Sequence, residues 1–280
     1  MRVAWATDIH LDFLADDQVR AFAATLAAAG ADAVVLSGDI SHAELLEHHL
    51  RLLAQSIPGP IYFVLGNHDY YGSSIAAVRA AVTELCARRP RLRWLPDCGV
   101  VRLSETTALV GVDGWGDARL GDVAGTPVLL NDFIHIEELA GTLDPAARSA
   151  PARLRGADRS ALHRKLQALG DAEADRCRAL VGAALAGFAE VVVITHVPPF
   201  HAACWHEGAL SGPDWLPYFS CAAVGEVLLE LARAHPQRRL TVLCGHTHGA
   251  GEAHIADNLR VLTGGAVYRR PQVQSVLELR

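Results

Sequence analysis

The prediction of the fold starts from the stretch Ile61-Tyr62-Phe63-Val64-Leu65-Gly66-Asn67-His68-Asp69. Its first five residues are aliphatic or aromatic and carry no charge, which is typical of a buried β-strand. The tetrapeptide 66–69 follows at once, so its polar side chains lie at the carboxyl end of that strand. They include amide, imidazole and carboxylate groups, all of which can bind a metal ion. The stretch therefore predicts a buried strand that delivers metal donors to the edge of a sheet.

The same pattern, a short apolar run followed by a donor side chain, occurs four more times. In an open α/β sheet the carboxyl ends of parallel strands share one edge, so donors placed there can meet although they are far apart in sequence. We therefore expect the donors of all five runs to converge. The four further runs are 3–7, 33–38, 191–195 and 240–245, and their donors are Asp8 with His10, Asp39, His196, and His246 with His248.

The composition argues against a nucleic-acid-binding or membrane protein. The 280 residues carry a net charge of −6, which gives no basic field for holding a phosphate backbone. No stretch approaches the roughly 18 uncharged apolar residues of a membrane span, and an apolar strand follows Met1-Arg2 directly, unlike a signal peptide. The six cysteines form no Cys-x-x-Cys pair. We expect a reduced, cytoplasmic protein without membrane contact.

Strands and helices alternate over the first 90 residues, which predicts parallel strands joined by right-handed crossovers. Helices are expected at 16–29, from a capping pattern at Ser41 to about residue 56, and from Ser73 or Ser74 to a point before Pro90. Short strand-like pieces at 92–95, 100–103 and 107–112 then indicate a second, more meandering sheet.

The second half of the chain begins with a weakly patterned region, 114–159, which is rich in turn residues and indicates a surface excursion. Helical spacing resumes over 160–188, with Gly170 as a possible break. An aromatic loop, 198–219, a helix capped by Ser220 and strand-like pieces at 258–263 and 273–279 follow. We predict a single domain over 1–280 with a surface insertion at about 114–188.

Each donor cluster alone is weak evidence, because a single histidine at a strand end is usually structural. Together the clusters supply carboxylate, imidazole and amide groups, a mixture that suits manganese, iron, zinc or nickel better than calcium or a structural zinc ion. Seven donors exceed the needs of one tetrahedral ion, so two divalent ions sharing a carboxylate are expected. The seven are Asp8, His10, Asp39, Asn67, His196, His246 and His248.

The series Asp8-x-His10, Gly38-Asp39, Gly66-Asn67-His68-Asp69, His196 and Gly245-His246-x-His248 resembles the signature of the calcineurin-like metallophosphoesterases. All five blocks are present in the family's order, and they span nearly the whole chain. The resemblance implies an α/β fold, namely a four-layer α/β/β/α sandwich of two mixed sheets flanked by helices.

The resemblance also implies roles for these residues. One ion would be held by Asp8, His10, Asp39 and His248, and the other by Asp39, Asn67, His196 and His246, with Asp39 bridging. His68 matches the family's catalytic histidine. Two cations about 3.5–4 Å apart lower the pKa of a shared water, so that it attacks phosphorus as a metal-bridging hydroxide. His68 would then give a proton to the leaving oxygen.

Three further histidines are candidates for substrate binding. His42 stands where the family often has an acid, in Gly-Asp-x-x-Asp, so a carboxylate that would keep His68 protonated is missing. The alternative is that His42 only belongs to the first turn of its helix. His201 and His206 follow His196 closely and either face the substrate or pack on the surface.

We therefore expect a metal-dependent phosphoesterase that acts on a small-molecule phosphodiester or phosphomonoester and is most similar to bacterial cyclic nucleotide phosphodiesterase-like members. A protein phosphatase is disfavoured because the Asp-Arg-Gly continuation after Gly38-Asp39 is absent. A DNA nuclease is disfavoured because no basic groove is visible. A catalytically silent metal-binding scaffold is disfavoured because His68 and every donor are intact. The sequence gives no indication of the oligomeric state.

Overall fold

A computed structural model describes residues 1–144 and 158–279 of the chain. In these residues two mixed β-sheets face each other, and helices cover both outer faces. The four-layer α/β/β/α sandwich expected from the sequence is thereby confirmed. The expected insertion at 114–188 includes residues 145–157, which lie outside the described part of the chain.

The first sheet has five strands, of which only the last along the chain is antiparallel to its neighbour. They are β1 (Arg2–Ala6), β2 (Ala33–Ser37), β3 (Ile61–Val64), β4 (Leu92–Trp94) and β13 (Ser275–Glu278). Their spatial order is β13-β1-β2-β3-β4. Three crossover helices cover the outer face of this sheet: α1 (Asp16–Ala28), α2 (Ala43–Ser56) and α3 (Ile75–Arg88).

The second sheet has six strands, with four parallel strands between two antiparallel edge strands. They are β5 (Val101–Arg102), β6 (Thr107–Gly111), β7 (Glu190–Ile194), β10 (Arg239–Cys244), β11 (Gly251–Ala256) and β12 (Leu259–Thr263). Their spatial order is β11-β12-β10-β7-β6-β5. A separate hairpin pairs β8 (Trp205–His206) with β9 (Ala209–Leu210).

Two long helices cover the outer face of the second sheet, and four short helices lie in the connections. The long ones are α7 (Ser160–Gly187) and α9 (Ala222–Ala234). The short ones are α4 (Leu95–Cys98), α5 (Asp132–His135), α6 (Glu137–Ala140) and α8 (Leu216–Phe219). Single 3-10 turns occur at Leu11–Phe13, His68–Tyr70 and His201–Ala203. None of these helices has both the length and the apolar character needed to span a lipid bilayer.

The apolar side chains of strand β1 pack on both faces of the first sheet. Successive side chains of a strand point to opposite faces of the sheet. Val3 and Trp5 accordingly pack between the two sheets, whereas Ala4 and Ala6 pack under the helices. Because both faces of such a strand are buried, its sequence is apolar throughout instead of alternating.

Strand β4 differs from the sequence-based expectation. The sequence predicted a second sheet beginning near residue 92, but β4 pairs in parallel with β3 and extends the first sheet. The second sheet begins only with β5 and β6. A three-residue strand carries too little pattern to specify its partner, so tertiary pairing decides where it belongs.

Two predicted helix caps were wrong in the same way. Helix α2 begins at Ala43, and the hydroxyl of Ser41 lies 2.8 Å from Nδ1 of His49 instead of capping the helix. Helix α9 begins at Ala222, and the Ser220 hydroxyl donates to a distant backbone carbonyl. Both serines are fully buried, so their hydroxyls are used for tertiary hydrogen bonds.

Helix α7 runs unbroken through Gly170, where a helix break had been possible. A Cβ atom at Gly170 would lie 2.6 Å from Cβ of Asp117, so the glycine allows close packing. Further along the helix, Cys177 and Val181 are buried in the core cluster outside the second sheet. The later part of the range 114–188 thus contributes to the core, while the assignment of 1–280 to a single domain stays a prediction.

Candidate metal centre

The carboxyl ends of five strands from both sheets meet at one end of the sandwich. Crossing contacts join the sheets there: Nδ1 of His196, after β7, lies 2.9 Å from the carbonyl oxygen of Ser37, the last residue of β2. The seven donors predicted from the sequence are brought together at this end. Strands β1, β2 and β3 position Asp8, His10, Asp39 and Asn67, and strands β7 and β10 position His196, His246 and His248.

Most of these donors have an unusual backbone conformation. A positive φ is uncommon for residues other than glycine and costs of order 1–3 kcal/mol. Such strain persists only where the surrounding structure enforces it, and it clusters at functional sites. Five of the eight non-glycine residues with positive φ in the described chain are predicted donors: Asp8, His10, Asp39, His246 and His248.

Glycines precede the donors because no side chain fits beside them. A Cβ atom at Gly66 would lie 2.2 Å from Oδ1 of Asp39, and one at Gly245 would lie 2.0 Å from Oδ2 of Asp8. Real Cβ atoms do not approach other atoms so closely. The Gly-Asn-His and Gly-His motifs therefore have a steric reason.

The first donor group consists of Asp8, His10, Asp39 and His248, whose ligand atoms all lie within 4.8 Å of one another. Nε2 of His10 lies 3.2 Å from Nε2 of His248 and 3.8 Å from Oδ2 of Asp39. Nε2 of His248 lies 3.4 Å from Oδ1 of Asp8. Donors about 2.0–2.2 Å from one ion are separated from each other by roughly 3.0–3.4 Å. The group therefore fits a single cation with small side-chain adjustments.

The second donor group consists of Asp39, Asn67, His196 and His246. Oδ1 of Asn67 lies 3.0 Å from Nε2 of His196 and 2.9 Å from Nδ1 of His246. The two imidazole nitrogens are 3.3 Å apart, and Nε2 of His196 lies 3.3 Å from Oδ1 of Asp39. These separations also fit one ion. Asp39 belongs to both groups, with Oδ2 facing one and Oδ1 facing the other.

The electrostatics of the centre favour positive charge. Burial would raise the pKa of Asp39, but the neighbouring His196 and His68 outweigh burial and hold the pKa well below its usual value. Burial opposes charge on His196, yet Asp39 raises the pKa of His196 to about 10. Burial and the neighbouring His196 lower the pKa of His246 to about 4. Positive charge is thus stabilised beside Asp39, whereas His246 is held neutral, which is the form in which an imidazole binds a metal ion.

His68 lies beside the donors without belonging to either group. Its ring stacks on Tyr71 at a centroid distance of 4.3 Å and an angle of 24°. Its Nε2 lies 4.0 Å from Oδ2 of Asp39, and its side chain is 15% exposed. Its Nδ1 is buried and has no hydrogen-bond partner among the described residues. The imidazole is therefore held by stacking, with Nε2 toward the centre.

Asp132 is an orienting residue that the sequence did not reveal. Its Oδ1 accepts hydrogen bonds from Nδ2 of Asn67 (2.8 Å) and from the hydroxyl of Tyr71 (2.6 Å). The first bond fixes the amide so that Oδ1 of Asn67 faces the second donor group. Asp132 lies in the weakly patterned region, where a lone carboxylate gave no usable signal.

Asp69, the last residue of the central motif, has a structural role. Its two oxygens accept backbone N–H bonds from Ile40, Ser41 and Gly66 at 2.8–2.9 Å. These bonds tie the loop after β2 to the loop after β3. Asp69 thereby sets the spacing between Asp39 and Asn67.

Of the three candidate substrate-binding histidines, one lines the cleft above the donors. His42 pairs with Asp12 at 3.4 Å, and its ring centroid lies 5.8 Å from that of His68. His206 lines the cleft above the donors. His201 does not line this cleft, and its Nε2 lies 3.1 Å from the carbonyl oxygen of Ser211.

A cleft of about 360 Å³ opens above the donors and has an aromatic flank on each side. The rings of Trp215 and Phe219 contact each other at a centroid distance of 4.8 Å and an angle of 31°, and Phe219 lies 5.3 Å from the ring of His246 in the second donor group. Tyr268, which is 45% exposed, lies 4.6 Å from the ring of His10 in the first group. The residues described along the cleft include no lysine or arginine.

A family model described as calcineurin-like phosphoesterase matches residues 1–250. The crystal structure of phosphopantetheinyl hydrolase from Mycobacterium tuberculosis is similar, with a TM-score of 0.62, 15% identity and coverage of 94% of this chain and 89% of that chain. A dimetal phosphatase from Danio rerio has a TM-score of 0.55 and 12% identity, covering 95% and 87%. At these identities the two structures show a shared fold alone. No curated protein matches.

Proposed function

The chain belongs to the calcineurin-like phosphoesterase family, and from that premise we propose that it hydrolyses a small phosphodiester in the cleft described above. Family membership makes the protein a dinuclear metal-dependent phosphoester hydrolase. The observation that carries the proposal is the position of Asp39, whose Oδ2 belongs with the donor group Asp8, His10 and His248 and whose Oδ1 contacts His196, which in turn contacts Asn67 and His246. A shared carboxylate of this kind suits a pair of ions better than one.

The donor distances support one ion at Asp8, His10, Asp39 and His248 and a second ion at Asp39, Asn67, His196 and His246. Mixed nitrogen and oxygen donors suit manganese, iron, zinc or nickel. Such ions, when bound, lower the pKa of water and neutralise charge that develops on phosphate oxygens.

His68 is proposed to give the proton that the leaving oxygen needs. Its Nε2 faces the centre, and its ring is held by Tyr71, so an N–H at this atom is aimed at a phosphate ester bound over the donors. Proton transfer by a positioned imidazole contributes typically about 10²–10⁴-fold in rate. His68 is not proposed as a ligand, because it does not belong to the group of four donors whose ligand atoms all lie within 4.8 Å of one another and its ring stacks on Tyr71 beside them.

The preference for a diester follows from the two flanks of the cleft. A diester has an organic group on each side of its phosphorus atom. The flank formed by Trp215 and Phe219 adjoins one donor group, and Tyr268 adjoins the other. Aromatic flanks suit planar or apolar organic groups. The absence of lysine and arginine from the described lining also suits a diester monoanion better than a monoester dianion.

The test compares two substrates with the same leaving group, bis-p-nitrophenyl phosphate and p-nitrophenyl phosphate, with each of manganese, iron, zinc, nickel and cobalt. We expect metal-dependent turnover and a kcat/KM for the diester at least about tenfold higher, a difference of about 1.4 kcal/mol in transition-state binding. No turnover with any of the metals would remove the hydrolase proposal. Faster turnover of the monoester would remove only the diester preference.

A variant tests the flank separately. Trp215→Ala is expected to raise KM for the aromatic diester without changing metal content, because it removes stacking area and no donor. Leu210→Ala is the matched control, since Leu210 is exposed in the same loop and does not line the cleft. Equal effects of the two substitutions would exclude the flank from substrate binding.

The substrate panel should include the alternatives that remain. Cyclic nucleotides represent the branch that the sequence resembles, and a phosphopantetheinyl ester represents the activity named for the similar Mycobacterium tuberculosis structure. Phosphoproteins and DNA are included as well, although a cleft whose described lining has no lysine or arginine gives little support to a nucleic acid substrate. A cytoplasmic location stays a prediction that the six unpaired cysteines support, and an exclusively extracellular protein would contradict it.

A further inference from the structure

A second group of metal donors lies where helix α1 begins beside helix α2. Asp16, His48 and His49 each offer one ligand atom, and these atoms lie within 4.8 Å of one another. None of the three residues lines the catalytic cleft. We propose that they form a separate site for one divalent ion of the zinc class, which joins the two helices.

The backbone positions of this site are set by packing between the helices. Asp16 is the first residue of α1, and the two histidines lie in the middle of α2. Val19 and Leu50 belong to the buried cluster that these helices share. The donors are therefore presented by rigid elements, which favours a defined coordination geometry.

His49 is the observation that distinguishes this site from an ordinary surface ion pair. It is only 2% exposed, and its Nδ1 lies 2.8 Å from the hydroxyl of Ser41, which is itself fully buried. Metal-binding histidines commonly use one ring nitrogen for such an orienting hydrogen bond and the other for the ion. The hydrogen bond described for His49 uses Nδ1, which leaves Nε2 as the nitrogen that would bind the ion.

Asp16 and His48 also contact each other directly, in an exposed pair that does not involve His49. Oδ1 of Asp16 lies 2.8 Å from Nε2 of His48, and about half of each side chain is exposed (52% and 48%). Exposed pairs of this kind contribute little to stability. Their exposure also leaves both side chains free to rotate by the small amount that would bring all three donors around one ion anchored on buried His49.

The donor chemistry selects the class of ion. Two imidazoles and one carboxylate suit zinc, cobalt or nickel, whereas calcium and magnesium prefer oxygen donors alone. A bound ion would hold the start of α1 against α2.

The test counts bound ions. Metal-free protein is equilibrated with zinc, dialysed and analysed by elemental mass spectrometry, and circular dichroism checks that each variant is folded. His48→Ala and Asp16→Asn are each expected to bind one ion fewer per chain than wild type. With the catalytic pair loaded, both variants are expected to keep wild-type turnover, since neither residue lies in the cleft.

His254→Ala is the matched control. His254 is exposed and lies 3.4 Å from Oε1 of Glu252, so it forms a histidine–carboxylate pair without a buried third donor. Its loss is expected to leave the ion count unchanged. Equal ion counts in wild type and His48→Ala would overturn the proposal, as would a loss of the same size in His254→Ala. Because the readout is ion content, this outcome is independent of whether the protein hydrolyses phosphodiesters.

Discussion

Asp39 is the residue on which both donor groups depend. Its carboxylate is buried, and its two oxygens face different histidines, with Oδ2 toward His10 and Oδ1 toward His196. Asp39 would therefore supply one oxygen to each donor group if both groups hold an ion. Removing it would leave each group with three donors and would remove a negative charge from both.

The first prediction separates ligation from catalysis. Asp39→Ala is expected to lose both catalytic ions, whereas His68→Ala is expected to retain them and to slow turnover by about 10²–10⁴-fold, the usual contribution of a positioned proton donor. Metal content and kcat are measured on the same preparations. If His68→Ala also loses an ion, His68 is a ligand and the proton donor must be sought elsewhere.

The second prediction concerns Asp132, which touches Asn67 and no other predicted donor through hydrogen bonds. Asp132→Ala frees the Asn67 amide to rotate, so metal affinity should fall by about 10–100-fold, as is typical when an orienting partner is lost. Excess metal should restore turnover. Glu137→Ala serves as the control, because Glu137 is exposed in the neighbouring helix. Unchanged affinity in Asp132→Ala would show that Asn67 holds its orientation without this bond.

At the scale of the elements, the turn after each buried strand determines where the donor side chain is placed. The chain must leave the strand end, pass close to a neighbouring donor and present the next side chain with a strained backbone. Glycine makes the close approach possible at Gly38, Gly66 and Gly245. The strain at the donors is maintained by the two packed sheets below them.

The third prediction tests this steric requirement. Gly66→Ala would place a Cβ atom 2.2 Å from Oδ1 of Asp39 and 2.5 Å from its backbone nitrogen. It should lower the free energy of unfolding by more than about 2 kcal/mol and weaken metal binding, since the two loops must separate. Gly182→Ala is the control, because nothing lies within 4 Å of a Cβ atom there, in helix α7. The control should stabilise the protein by about 0.5–1 kcal/mol. A stable, metal-binding Gly66→Ala would show that the loops can move apart without cost.

At the scale of the whole molecule, a buried ionic network joins the two halves of the sandwich. Arg79, in helix α3 of the first half, donates from Nη2 to Asp113 (2.9 Å) and to Glu173 (2.6 Å). Asp113 follows strand β6, and Glu173 lies in helix α7, so both carboxylates belong to the second half. Asp113 also accepts a hydrogen bond from the Tyr70 hydroxyl. The network holds the halves in the relative position that the metal centre requires.

The fourth prediction removes the cation of this network. Arg79→Met leaves two buried carboxylates without their partner, and breaking a buried pair in this way costs about 3–5 kcal/mol. Urea unfolding monitored by circular dichroism measures the change. Arg178→Ala is the control, because Arg178 pairs with Glu230 on the surface and its loss should have little effect. Similar unfolding midpoints for both variants would mean that the network does not stabilise the junction.

Two kinds of feature were predictable from the sequence. The α/β class followed from apolar runs that alternate with helical spacing, whereas the four-layer arrangement was implied by the resemblance to a family; the donors followed from the polar residues directly after those runs. Both are local patterns that span only a few residues. The glycines stand in the same motifs, but their steric role was not predicted, because it depends on atoms that approach them only in the folded protein.

The sequence by itself determined which side chains stand at the strand ends, because strand formation and burial are written in neighbouring residues. Only the tertiary structure decided which sheet receives β4, how Asp132 reaches Asn67 across 65 positions, and which aromatic rings flank the cleft. These features arise from contacts between segments far apart in the chain. No local pattern encodes such contacts, since they exist only once the layers have packed.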